Sequence, residues 1–114
     1  MFVLANTVQP AFRAWFNPTE PAGEAHVDAV KACARERIER AWAQIDAHLA
    51  ARGPHLLGDK LATPDFMLTM LMRWSRNMPR TATEWPALAR LAATMKARPA
   101  FQEVYAREGL TDWT

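Results

Sequence analysis

GDKLATPDFMLTMLMRW, residues 58–74, begins as a polar turn and ends as a helix with almost no polar side chains. Thr63, Pro64 and Asp65 form a start signal. Thr can cap, Pro suits the first helical turn, and Asp meets the positive end of the helix dipole. Phe66, Met67, Leu68, Met70, Leu71, Met72 and Trp74 then follow within nine positions. A helix apolar on every side is expected to be enclosed by others, so this one is expected to be the central post of a bundle. Asp65 is a carboxylate among apolar residues. Its expected role is structural, accepting backbone donors at the helix start, with Thr63 as the cap.

Working outward, helical periodicity continues in both directions. Residues 2–16 carry the stripe Leu4, Val8, Phe12, Trp15 and, beside it, the mixed stripe Phe2, Asn6, Gln9, Arg13, Phe16. Pro10 lies inside this segment and predicts a kink, because it donates no hydrogen bond and crowds the carbonyl four residues back. NPTEPAGEA reads as a loop. Residues 24–52 place Val27, Val30, Ala34, Ile38, Ala41, Ile45 and Leu49 at steps of three or four, with Trp42 widening that face. Gly53-Pro54 ends the helix, Gly53 being suited to a left-handed closing residue. A fourth helix over 84–97 turns Leu88, Leu91, Ala92 and Met95 inward. A fifth restarts at Pro99 and stops at Gly109. The expectation is therefore one all-α domain over 1–114, a bundle of about five helices.

Composition excludes several classes. The 114 residues are 50% hydrophobic and 23% charged, as in a globular chain. There are 14 Lys and Arg against 12 Asp and Glu, with no basic block, so no nucleic-acid footprint is present. No apolar run approaches the ~20 residues needed to span a bilayer. The first ten residues lack the features of a signal peptide. The lone Cys33 fits a reducing, cytoplasmic setting and is expected to be a buried structural thiol. His26, His48 and His55 lack the spacing of a zinc site, so no metal is expected.

Residues 56–74 followed by ATMKARPAFQEVYAREGL, 93–110, resemble the C-terminal helical domain of glutathione S-transferases, most closely the bacterial, beta-class-like branch. GDKLATPDF is similar to the family's buried N-capping motif. Asp65 stands at its Asp, and Ala62 stands where the family has Ser or Thr. Arg98-Pro99 resembles the Arg-Pro that starts the family's last helix, and the opening LANTVQPAFRAWFNP resembles its first C-terminal helix. The resemblance implies the electrophile side of a transferase cleft. Glutathione, as co-substrate, and the catalytic Ser, Tyr or Cys would belong to a preceding thioredoxin-like domain. No βαβ pattern of that kind occurs in these 114 residues, so no catalytic residue is assigned.

On this resemblance the substrate-binding candidates are Asn6, Gln9, Arg13 and Trp74. Gln9-Pro10 stands where beta-class members often carry His-Lys. Gln9 can hydrogen-bond but cannot act as an acid or base near pH 7. Trp74 could wall a hydrophobic pocket, although Trp15, Trp42 and Trp74 all suit a core. Arg73, Arg76 and Arg80 are expected on a solvated face. The partners implied are a second copy, in a homodimer through the first two helices that buries Phe2, Phe12 and Phe16, and a thioredoxin-like domain. The alternative is a non-catalytic protein-interaction module of the same fold.

Overall fold

The computed structural model describes residues 4–113, apart from the side chains of residues 21 and 22. It divides into two compact units, Met1–Ile45 and Asp46–Thr114. Both are helical. Among the described residues no strand forms, and one isolated bridge pairs His55 with Gly58.

The first unit opens with a π-helical turn, Leu4–Val8, which runs into helix α1, Gln9–Phe16. Pro10 therefore falls in the first turn of α1, directly after the π turn. A π-helical turn thus stands directly before the proline at which a kink is expected. Leu4, Val8, Ala11 and Phe12 are buried, whereas Trp15 is half-buried. Phe2 lies outside the described residues. The segment expected to be a plain loop holds a short helix α2, Thr19–Ala22, and the helix expected from residue 24 opens with a 3-10 turn, Glu24–His26. Gly23 separates them at φ +79°, a left-handed conformation that suits glycine.

Helix α3, Val27–Arg52, then buries Ala34, Ile38, Ala41, Trp42 and Ile45 along one face. Phe12 stacks on Phe16 with ring centroids 5.8 Å apart and tilts against Trp42 at 6.1 Å. Such ring pairs contribute about 0.5–1.5 kcal/mol beyond the area they bury. Cys33 corrects the expectation of a buried thiol, because it is exposed. It precedes the buried Ala34 by one residue, and one residue is about 100° of turn, enough to leave the core face.

The second unit begins in the last turns of α3. Gly53 ends that helix for a reason other than the expected one. Its φ is not in the left-handed region, but a Cβ there would collide with the carbonyl oxygen of Leu49, which accepts the Gly53 N–H at 2.7 Å. Helix α4, Thr63–Trp74, has the predicted bounds and buries Asp65, Leu68, Thr69, Leu71 and Met72. It is not enclosed all round: Phe66 is 49% and Met70 41% exposed, so one side of the helix is open.

Ser75, fully buried, closes α4. Its hydroxyl donates to the Met72 carbonyl at 2.6 Å and accepts the Ala82 N–H at 2.9 Å. A 3-10 turn, Ala82–Glu84, leads to α5, Pro86–Lys96, which packs on α4 and buries Leu88, Leu91, Ala92 and Met95 as their spacing predicts. Helix α6, Pro99–Glu108, stops at Gly109, whose φ of +65° is the left-handed closing conformation.

Candidate functional site

Asp65 is completely buried at the start of α4. Its Oδ2 accepts the Ala62 N–H at 2.9 Å, and its Oδ1 accepts the Leu56 N–H at 3.1 Å. The Nδ1 of His55 lies 3.3 Å from Oδ2, near enough for charge attraction but not aligned as a hydrogen bond. The Asp65 N–H donates to the Ala62 carbonyl at 3.0 Å. One carboxylate thus ties the 55–62 loop to the helix start. The capping position falls on Ala62, not on Thr63, which is exposed and inside the first turn. Alanine offers no side-chain acceptor, so the carboxylate three residues on carries the turn.

Asn6, Gln9 and Arg13 are all exposed in the first unit. Arg13 is engaged by Glu20 through two hydrogen bonds of 2.9 Å each, a forked pairing of guanidinium and carboxylate. Trp74 is half-buried at the end of α4 in the second unit. Of the other tryptophans considered as core, Trp42 is fully buried. The expected homodimer surface also changes. Phe12 is fully buried inside the first unit, which leaves Phe16, 53% exposed, as the apolar side chain of that stretch open to solvent.

The three arginines placed on a solvated face are more organised than expected. Arg73 Nε donates to the Tyr105 hydroxyl at 2.9 Å, and Arg73 Nη2 donates to Asp112 Oδ1 at 3.0 Å. Arg76 Nε donates to Asp112 Oδ2 at 2.5 Å. Desolvation pushes the Asp112 carboxyl up, but the bonds from Arg76 and Arg73 outweigh it and hold the group below its ordinary value. For Arg73, desolvation acts downward and the bonds to Tyr105 and Asp112 win, raising its pKa. The guanidinium of Arg80 lies over the Trp85 ring at 3.9 Å. Burial pushes the Lys96 ammonium down, and its Nζ sits 3.9 Å from the Trp113 ring centroid.

Sequence reasoning missed Asp112 because it lies 36–39 residues from its partners, past the last helix. Asp46 was missed for the same reason. Its Oδ1 accepts the Ala87 N–H at 2.8 Å and the Leu88 N–H at 3.1 Å, capping α5 from 41–42 residues away. The only local signal was a free-standing Trp85-Pro86 start with no cap of its own.

A cavity of about 320 Å³ lies along the open side of α4, bounded by Phe66 and Met70 from α4, by Phe101 and Val104 from α6, and by Leu110. Arg73 and Arg98 also line it. That volume is at the lower end of the range for small-molecule sites, roughly 300–1,000 Å³. Arg98 Nε is buried without a hydrogen-bond partner. Among the described residues, no group of three His, Cys, Asp or Glu side chains could hold a metal ion. Among them, too, no helix is long and apolar enough to cross a membrane.

Comparison with known proteins agrees with the helical architecture. The family model for the glutathione S-transferase C-terminal domain matches residues 5–108, across both compact units. A solved structure described as a ternary complex of BphK, a bacterial GST, superposes with a TM-score of 0.79 at 28% sequence identity, over 96% of this chain. The chain spans 50% of the length of that protein. A search of curated proteins finds no match.

Proposed function

We propose, for a chain that belongs to the glutathione S-transferase C-terminal domain family, that it forms the electrophile side of a glutathione transferase cleft and does not conjugate glutathione by itself. The observation that carries this reading is the family match over 5–108. The solved bacterial transferase, twice as long as the region it shares with this chain, supports it. In this reading the exposed amides of Asn6 and Gln9 are hydrogen-bonding candidates in the first unit, and Trp74 is a separate amphipathic candidate in the second.

Glutathione enters only with a thioredoxin-like domain, whose groups would lower the thiol pKa and aim the thiolate. Positioning and electrostatic stabilisation supply most of such a rate, and none of the four candidates here performs either on a thiol. Arg13 is already engaged by Glu20, so its part is to contribute aliphatic surface and a balanced charge. The same reading carries a cytoplasmic location and a homodimer.

Two measurements test it. Pure chain mixed with glutathione and a chloro-dinitrobenzene should show only the uncatalysed rate; a clear excess overturns the assignment of catalysis to another domain. Titration of the chain with the S-aryl conjugate should move the amide resonances of Gln9 and Arg13 and the indole resonance of Trp74. Undisturbed signals at all three would remove them from the electrophile side.

A further inference from the structure

The geometry points to Lys96 as a modification site, a side-chain amine that condenses reversibly with small uncharged aldehydes. The site lies within the second unit and does not depend on the transferase reading. Lys96 is the last residue of α5. It lines a cavity of about 570 Å³ with Ala89, Ala93 and Ala97, with Thr83 from the turn before α5, and with Gln102 from α6. That volume falls within the range for small-molecule sites, roughly 300–1,000 Å³. None of these residues lines the groove beside Phe66.

The walls decide what can enter. Alanine side chains are short, so they leave room beside the amine and bring no competing nucleophile. Lys96 carries the one charged side chain among the lining residues. A charged guest would shed water to enter a space walled largely by methyl groups, and an uncharged guest avoids that cost.

The amine is placed to react. Among the described residues no carboxylate pairs with Lys96, and no acceptor takes a hydrogen bond from its Nζ. The half-buried Nζ rests instead 3.9 Å from the centroid of the Trp113 ring. Burial lowers its pKa, since a desolvated ammonium is disfavoured. The ring's attraction for a cation works the other way, and the pH dependence of reaction reads the balance. Partial desolvation is a common route by which a lysine becomes a Schiff-base nucleophile.

The step balances without a co-reactant. The Nζ lone pair attacks the aldehyde carbon and a C–N bond forms. The carbonyl oxygen then leaves as the C=N bond forms, and both protons of the neutral amine end on that oxygen as water. The imine is uncharged, which suits a half-buried nitrogen better than an ammonium does. Thr83 and Gln102 bring a hydroxyl and an amide to the cavity wall, donors for the oxygen as charge builds on it.

The test treats the full chain with limiting butanal and sodium cyanoborohydride near pH 7, which converts each imine to a stable butyl amine, and locates the marks by peptide mapping. Lys31, whose Nζ lies 4.6 Å from the Trp15 ring centroid, and the exposed Lys60 are internal references. The N-terminal amine is intrinsically less basic and is counted separately. Lys96 should be marked several-fold faster than either reference, and its rate should begin to rise at a lower pH. Ala93→Glu, at an exposed position three residues before Lys96, should hold the amine protonated and cut its marking several-fold; Ala93→Gln, of the same size, should cut it less. The proposal is overturned if Lys96 is marked no faster than Lys31 and Lys60, or if its rate rises at the same pH as theirs. It is overturned equally if folded Ala93→Glu protein is marked at Lys96 as fast as wild type. Should Ala93→Glu not fold, the two comparisons within the wild-type chain decide.

Discussion

Replacing Asp65 by alanine should remove the tie that holds the start of α4. The carboxylate is fully buried and accepts two backbone N–H groups, at 2.9 and 3.1 Å, with His55 Nδ1 3.3 Å away. A hydrogen bond to a charged group contributes about 1.5–3 kcal/mol, so the two together set an upper bound of about 3–6 kcal/mol. Two effects reduce it. Removing the carboxylate also removes the cost of burying a charge, and water can reach the half-buried N–H groups of Leu56 and Ala62. The net loss should be about 2–4 kcal/mol. That is a large share of the roughly 5–15 kcal/mol that holds a small domain together. Urea unfolding followed by tryptophan fluorescence would read it. With a slope of about 1–3 kcal/mol per molar, the midpoint should fall by about 1–2 M at unchanged slope. Asp65→Asn, which keeps one acceptor, should fall between alanine and wild type. His55→Gln should cost less than either, since His55 Nδ1 makes no aligned bond to Asp65. A midpoint for Asp65→Ala within error of wild type would refute the reasoning, because it would mean that the Leu56 and Ala62 donors do not depend on the carboxylate.

Other expectations follow from the same geometry. Asp46→Ala should cost about 1–2 kcal/mol, the usual worth of a helix cap, and lower the thermal midpoint by several degrees, because the first-turn donors of Ala87 and Leu88 lose their acceptor. The Asp112 carboxyl, held below its ordinary value by Arg76 and Arg73, stabilises the folded state at pH values above the ordinary carboxylate value near 3.9. That contribution is lost as pH falls through the lowered folded value. Wild type and Asp112→Asn should therefore differ in stability at neutral pH and converge at the acid end; parallel curves would count against the Arg73–Asp112–Arg76 clip. If the chain pairs through the first unit, Phe16→Glu should shift the species seen by light scattering behind a sizing column from dimer toward monomer. A wild-type protein that elutes as a monomer near 12.9 kDa at high micromolar concentration would remove that interface.

Much of this protein can be read from the sequence by itself. The helical class, the start of α4 at Thr63, the inward face Leu88, Leu91, Ala92 and Met95, and the stop at Gly109 all follow from local chemistry. Proline and glycine constrain their own backbone, and a side chain's periodicity fixes its face within a few residues, so neither depends on the rest of the chain. The role of Asp65 was legible for the same reason, since the Ala62 donor is three residues away. The tertiary structure decided what depended on distance. The cap that Asp46 places on α5, and the clip that Asp112 makes with Arg73 and Arg76, join residues 36–42 apart, a relation that no local pattern encodes. It also decided which apolar residues are covered. Phe12 and Phe16 share a helix and a residue type, yet one is buried and the other open; Leu68 and Met70 differ by two positions, and only Leu68 is enclosed. Hydrophobic burial is non-directional, so a side chain's apolar nature states its preference, while the arrangement of its neighbours determines whether that preference is met. The groove beside Phe66, lined by Arg98 whose Nε has no hydrogen-bond partner, lies where α4 and α6 leave one side of α4 open.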